Sequence, residues 1–376
     1  MNLEIYRLLH VFGQKSIDVF EWQRADVKKT RLKNDPKWSD LAITRSPLLF
    51  SGWNLAHAVI KTDYLVSQTP FFPSIGFLLQ MSPIFDFGSG NNLRLVRGGS
   101  SMLNDVTLSS STGRLGQGLS VLFAQSLGYS FVGHLASAPM LRNHLGSSSS
   151  LKIADFLFET SVGSKMILEA KGSFKQAEND PSRIKRVLKK ALDDQVDPWM
   201  SRLKPAVNKG YATYSCFRES GNPYPSALIF VDPPEHEDPS PIELPPAWVR
   251  RVNYGPWLEA MGLSGVAEKL NSGETRSRRK IRLPVVRIRE QEFALHRQRY
   301  PFETLPQVVL GIDVKALSAI SAAIGGEQEQ LLDYKGIEES IDHERDIASD
   351  SVFPDGTYLG LIENVDEYIG HQTFLL

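Results

Sequence analysis

Residues 152–172 constrain the fold of this chain more than any other stretch. Two apolar runs, Lys152-Ile153-Ala154-Asp155-Phe156-Leu157-Phe158 and Lys165-Met166-Ile167-Leu168-Glu169-Ala170-Lys171-Gly172, flank a polar segment with Gly163 near its end. Short runs rich in Phe, Ile and Leu around a polar, glycine-containing segment predict the two strands of a β-hairpin. A loop of Ser161, Val162 and Gly163 puts glycine where such turns require φ > 0. That register pairs Thr160 with Ser164 and sets Asp155 opposite Glu169. Side chains alternate across a strand, so Ile153, Asp155 and Leu157 share a face, and Ile167, Glu169 and Lys171 join them there. Two carboxylates and an ammonium therefore converge.

Carboxylates held side by side repel each other, and a divalent cation removes that cost. Oxygen ligands suit a hard ion such as Mg²⁺ or Mn²⁺. Such an ion polarises a phosphodiester and acidifies a bound water, while a lysine orients the water or stabilises developing negative charge. The Glu-x-Lys tripeptide is a weak signal by itself. Similar triplets occur at Asp26-Val27-Lys28, in a polar helix-like stretch, and at Asp313-Val314-Lys315, after the strand-like residues 308–312. No strand before Asp313 supplies a second acid in hairpin register, so the Asp155 set is preferred.

The flanks extend the pattern. Leu119, Leu122, Phe123 and Leu127 recur near helical spacing over residues 116–127, and Gly128 suits a helix C′ position. Residues 129–135 read as a strand. Beyond Lys171, Asp180 and Pro181 suit an N-cap and first helical position, and Ile184, Val187, Leu188, Ala191 and Leu192 make an apolar stripe. Residues 211–217 and 227–231 read as strands. The order is helix, strand, hairpin, helix, strand.

On these residues, the stretch 113–232 resembles the PD-(D/E)XK nuclease superfamily, the restriction-endonuclease-like fold. The resemblance implies an α/β fold with an α-β-β-β-α-β core. In that family an aspartate lies on the second strand, matched by Asp155, and an acidic-x-lysine signature ends the third, matched by Glu169 and Lys171. It implies a metal-dependent endonuclease with Asp155, Glu169 and Lys171 as catalytic residues. Mg²⁺ (or Mn²⁺) would be held by Asp155, Glu169 and the Ala170 carbonyl. DNA is implied ahead of RNA, and family association adds a role in bacterial defence against foreign DNA. Ala154 stands where the name has proline. Gln117, in Gly116-Gln117-Gly118, stands where many members carry a metal-assisting glutamate, which leaves fewer anionic ligands for a second ion. Gln176 and Gln195 lie where some members carry an accessory glutamine. The motif is short and the resemblance covers about a third of the chain. A catalytically inactive, nuclease-like nucleic-acid-binding protein and a subunit of a larger complex are the other readings.

The rest of the chain bounds these expectations. Its 376 residues allow two or three domains, and a net charge of −1 supplies no global field towards nucleic acid or membrane. The single cysteine, Cys216, excludes an internal disulfide and a cysteine zinc cluster. Met1-Asn2-Leu3-Glu4 lacks a signal-peptide pattern, so a cytoplasmic protein is expected. The uncharged stretches 64–85 and 115–141 are interrupted by prolines or polar residues, so no membrane association is expected.

Four segments follow. Residues 1–110 form an N-terminal α+β region, with amphipathic Ile5, Leu8, Leu9 and Phe12, three tryptophans including Trp38, and a glycine-rich turn at residues 88–92. Residues 111–232 form the nuclease-like core, residues 233–245 a Pro-rich linker, and residues 246–376 a C-terminal α+β region. In the last, Arg276, Arg278, Arg279, Lys280, Arg282, Arg287, Arg289, Arg297 and Arg299 crowd together. Arg276, Arg278, Arg279, Lys280, Arg287 and Arg289 are the expected phosphate contacts, unless the cations pair with the acidic stretch 327–350 or simply face solvent. Arg183, Lys185, Arg186, Lys189 and Lys190 offer a second basic face. His134, and His144 beside the serine run 147–150, are candidates to approach the site. No Gly-x-Ser-x-Gly elbow or Cys-x-x-Cys pair points to serine or zinc chemistry. A double-strand break needs two active sites, so a homodimer or partner proteins are expected.

Overall fold

The computed structural model describes residues 12–28, 42–63, 71–88, 90–137, 152–203, 206–207, 209–232, 244–296, 308–337 and 350–376. Ile5, Leu8, Leu9, Trp38, His144, the serine run 147–150, linker residues 233–243, Arg297 and Arg299 lie outside them. The fold is mixed α/β.

Two sheets organise it. The first has seven strands: β1 (Gln14–Trp22), β2 (Ala42–Ser51), β5 (Tyr129–His134), β6 (Phe156–Thr160), β7 (Lys165–Ser173), β8 (Lys209–Cys216) and β9 (Ala227–Val231). Their spatial order is β2-β1-β9-β8-β7-β6-β5, parallel at β1–β9 and β7–β8 and antiparallel elsewhere. This sheet takes strands from both sides of residue 110. A small ribbon joins β3 (Phe85–Asp86) to β4 (Arg94–Leu95). The second sheet is wholly antiparallel. It runs β13 (Asp350–Val352), β14 (Thr357–Leu361), β12 (Val308–Asp313), β11 (Gln291–His296), β10 (Lys280–Ile288) and β15 (Glu367–Leu375).

The helices used below are α1 (Gly52–Thr62), α2 (Asp105–Ser126), α3 (Pro181–Ala191), α4 (Asp197–Leu203), α5 (Trp248–Ala260), α6 (Val314–Ile324) and α7 (Gln328–Asp333). Helix α2 begins at Asp105 rather than near Gly116, capped by the Asn104 side chain accepting from the Thr107 N–H at 2.9 Å. Its polar first half hid it, because Ser109-Ser110-Ser111-Thr112 reads as loop. The Thr112 hydroxyl in fact donates to the Leu108 carbonyl at 2.7 Å, one turn back. Gly128, at φ 88°, follows the C-cap Leu127 and ends the helix as its sequence position suggests. Asp180 caps α3 through the Ser182 N–H, with Pro181 in the first helical position.

The β6–β7 register is the one anticipated: Phe156 faces Leu168, Phe158 faces Met166, and Glu159 faces Lys165. Gly163 has φ 91°, and the Thr160 N–H donates to the Ser164 carbonyl at 2.9 Å. One expectation is corrected. Residues 152–155 are not strand; β6 starts at Phe156, with Asp155 in a bend. The Lys152 and Ile153 carbonyls accept instead from Trp199 Nε1 at 2.8 Å and Gln195 Nε2 at 3.1 Å. Side chains have taken over the ladder.

Helices cover both faces of this sheet. On one, the α2 hydroxyl of Ser120 meets that of Thr213 on β8 at 2.9 Å. On the other, the π-helical turn Leu192–Val196 and α4 pack so closely that a Cβ at Gly210 would come within 2.7 Å of Val196. Trp53, Phe131, Phe158, Trp199, Trp257 and Leu310 belong to one buried cluster that spans both sheets. Cys216 is buried within it, and burial pushes its thiol up to about 12. No helix among the described residues is long and apolar enough to cross a membrane.

Arg250, on α5, ties the β6–β7 hairpin to α7 and the residue that follows it. Its Nε donates to the Glu159 carboxylate at 2.6 Å, and its Nη1 to the carbonyls of Leu331, Leu332 and Tyr334 at 2.8, 2.8 and 2.6 Å. Its Nη2 reaches the Ser161 carbonyl at 3.2 Å. Both ionic side chains are 1 % exposed, so removing Arg250 leaves the buried Glu159 only the longer contact to Lys165 at 3.4 Å. Arg250→Met is expected to destabilise the fold by about 3–5 kcal/mol in urea denaturation. Glu159→Leu in the same chain should recover only part, because the Leu331, Leu332 and Tyr334 carbonyls stay without their donor.

Candidate functional site

The ladder between β6 and β7 ends at Phe156–Leu168, whereas β7 continues to Ser173 with β8 as its partner. In the opening between the two strands lie Asp155, Glu169 and Ala170. The Asp155 N–H donates to Glu169 Oε2 at 3.0 Å, and the Ala170 N–H donates to Asp155 Oδ2 at 2.9 Å. Each carboxylate thus binds the backbone of the opposing segment. The Ala170 N–H points into the opening, and strand geometry puts a residue's carbonyl on the same edge as its N–H. Lys171 Nζ hydrogen-bonds Glu169 Oε1, with Glu169 fully buried and the lysine side chain about one-third exposed. The three predicted side chains are together.

Their electrostatics are those of a crowded acid pair. Burial pushes the Glu169 carboxyl up to about 7, the Asp155 charge pushes it the same way, and Lys171 opposes both. Burial likewise raises Asp155, against the Ala170 N–H and the Lys171 charge. Added positive charge would favour the ionised form of both groups. The oxygen donors and their mutual repulsion fit a hard divalent cation, since Mg²⁺ is commonly bound by one or two carboxylates with waters and substrate phosphate completing its shell. Among the described residues, no group of three or more His, Cys, Asp or Glu is placed to hold a metal ion.

The surroundings divide into support and bystanders. Gln117 Nε2 lies 3.5 Å from Asp155 Oδ1, at the long limit of a hydrogen bond. Gln195 and Trp199 hold the segment leading into Asp155, and Trp199 went unnoticed in the sequence although its spacing of four from Gln195 was there to read. Gln176 serves the Phe174 and Phe217 carbonyls at 2.9 and 3.1 Å, not the carboxylates. His134 packs against Phe156 with ring centroids 4.8 Å apart, and burial pushes it down to about 4, so it is neutral. Asp313 caps α6 and accepts from the Tyr334 hydroxyl at 2.7 Å; Asp26 lies in the short helix Arg24–Lys28.

The basic segment splits in two. Arg287 pairs with Glu367 and Glu292, and Arg289 with Asp350, while the Arg289 N–H donates to Asp366 at 2.7 Å. These two expected phosphate contacts are already neutralised, largely by acids remote in sequence. Arg276 pairs with Glu274, and the Arg278 guanidinium lies against Gly325 at the C-terminal end of α6. The Arg279 backbone joins that of Leu376. Lys280 and Arg282 are exposed and make no ion pair among the described residues. On α3, Lys185 is buried and Lys189 pairs with Asp193, leaving Arg183, Arg186 and Lys190 exposed.

No family model, no curated protein and no solved structure matches the chain.

The raised Glu169 carboxyl sets a pH dependence. Below its ordinary value of 4.5 both folded and unfolded chains hold the proton. As pH rises, the unfolded chain ionises first, so stability is lost as pH climbs through about 7. With EDTA present, urea midpoints should fall between about pH 5 and about pH 8. Glu169→Gln should flatten that slope; an unchanged slope would mean that Glu169 is not the titrating group.

Proposed function

We propose that the protein is a Mg²⁺- or Mn²⁺-dependent nuclease with a PD-(D/E)XK-type core, cutting DNA and serving in defence against foreign DNA. The observation that carries this reading is the reciprocal hydrogen bonding of Asp155 with Glu169 and Ala170, with Lys171 beside it where β7 outruns β6. The element order supports it: α2, then antiparallel β5, β6 and β7, then α3, then β8 parallel to β7, with helices on both faces. The defence role rests on family association.

Asp155, Glu169 and the Ala170 carbonyl would hold the cation. When bound, it would polarise the phosphodiester and acidify water beside it. The protein supplies the rest. Glu169, whose carboxyl burial pushes up to about 7, would release its proton fully on binding the cation. Lys171, partly exposed and anchored on Glu169, would orient the attacking water or stabilise negative charge on phosphorus oxygens. Gln195 and Trp199 keep the Asp155 bend from sliding back into ladder register.

One observation favours a second reading, a nucleic-acid-binding protein that does not cut. Both carboxylates already spend oxygens on backbone N–H groups, and Gln117 brings an amide where a third anion would strengthen cation binding.

Cleavage of plasmid and single-stranded DNA with Mg²⁺, Mn²⁺ or EDTA separates the two. Wild type is expected to cut only with metal, Asp155→Ala to lose cutting, and Lys171→Ala to lose roughly 100-fold or more. Cutting that persists in EDTA, or in both variants, would sink the proposal. Metal-independent binding without cutting would establish the second reading.

A further inference from the structure

On the β10–β15 ribbon one face is exposed, among the described residues, at the end away from β11, whereas Val286 and Ile288 further along that face are buried in a second small cluster with Phe293. Lys280 pairs with Leu375, Arg282 with Thr373 and Pro284 with His371; after a bulge in the register, Val286 pairs with Tyr368. Leu283, Val285, Phe374 and Leu376 turn inward to the main core. Strand alternation sends Lys280, Arg282, Tyr368, His371 and Thr373 the other way, and all five are exposed. The ladder of β11 with β10 begins only at Val285, so residues 280–284 have β15 as their one partner strand among the described residues.

The chemistry of this face is specific. It carries no Asp or Glu, since Glu367, Asp366 and Asp350 are engaged by Arg287 and Arg289 at the other end of the ribbon. Tyr368 is 57 % exposed, an unusual place for a large ring. Its hydroxyl hydrogen-bonds His371 Nδ1, and the two rings stand edge to face with centroids 6.0 Å apart. The bulge next to Tyr368 returns that side chain to the same face as the cations. Tyr368 and His371 form a solvent-facing aromatic pair on the face that carries Arg282, with Tyr368 about four residues, roughly 13 Å of ordinary strand rise, along the ribbon from it. An aromatic ring and cations spaced along one ribbon suit a polyanion with accessible base faces.

We propose that the outer face of the β10–β15 ribbon binds single-stranded nucleic acid, with Lys280 and Arg282 on phosphates and Tyr368 stacking on a base. The inference rests on the reading of this chain as one that acts on nucleic acid, and it names the form of the substrate. Duplex DNA offers phosphates but hides its base faces, so it would leave Tyr368 unused.

Fluorescence anisotropy of a labelled oligo(dT) in EDTA tests binding apart from cutting. Tyr368→Ala is expected to weaken binding about tenfold or more and to leave the salt dependence unchanged. Lys280→Ala with Arg282→Ala should lower the slope of log K against log salt by about 1.4, as for two lost single-strand phosphate contacts. The proposal is overturned if wild type fails to bind oligo(dT), if it prefers a matched duplex, or if the ribbon variants bind as wild type. If binding behaves as expected while neither wild type nor any variant cuts DNA, the nuclease reading fails and the ribbon surface stands.

Discussion

The register of the β6–β7 hairpin is the constraint on which the site depends. A slip of one residue would turn every side chain of β6 to the opposite face and separate Asp155 from Glu169. Three contacts forbid that slip. Gly163 in the left-handed region closes a short turn, Thr160 and Ser164 bond across it, and Arg250 grips Glu159 and the Ser161 carbonyl from the side. The turn end is thus rigid. At the other end, about five residues away and roughly 17 Å along the strand by ordinary strand rise, the ladder stops and the carboxylates begin.

Why it stops there follows from competition for backbone groups. The carbonyls of Lys152 and Ile153 are claimed by Trp199 and Gln195, and the Asp155 N–H by Glu169. A buried backbone group must be paired, but it need not be paired to its ladder neighbour. By answering each need with a side chain, the chain opens the sheet without orphaning its amides. The cost is concentrated in two buried carboxylates, both raised by burial, with Glu169 raised further by the Asp155 charge. Such stored electrostatic cost is found at sites that await a charge, and it is the physical reason to look for one here.

The hairpin was legible in the sequence because its determinants are local: a glycine in the loop and two apolar runs that fix the pairing. Helix α3 was legible for the same reason, through Asp180 and Pro181. The start of α2 was not, since Ser111 and Thr112 look like loop until their burial against the fold is seen. Nor was the parallel docking of β1 on β9, which joins Val19 to Leu228 across most of the chain. Long-range pairing of this kind leaves no periodic trace. The basic segment shows the same limit: Arg287 and Arg289 resemble Lys280 and Arg282 in sequence, and only the fold brings acids to the first pair.

The two sheets are not independent supports. His57 on α1 stacks on Phe353, with centroids 3.6 Å apart, and bonds Ser351 and Thr357 at 3.1 and 2.9 Å. One turn on, Lys61 pairs with the buried Asp355, which also accepts from Asn253 on α5 at 2.7 Å. Buried polar groups contribute little net stability, but they tolerate few alternative packings. Helix α1 packs on α2, which carries Gln117 next to Asp155, and α5 carries Arg250 at the hairpin turn. The same network therefore sets the position of a helix at each end of the hairpin. The segment around β13 and β14 thus contacts both α1, through His57 and Lys61, and α5, through Asn253, and those helices in turn reach α2 and the hairpin turn.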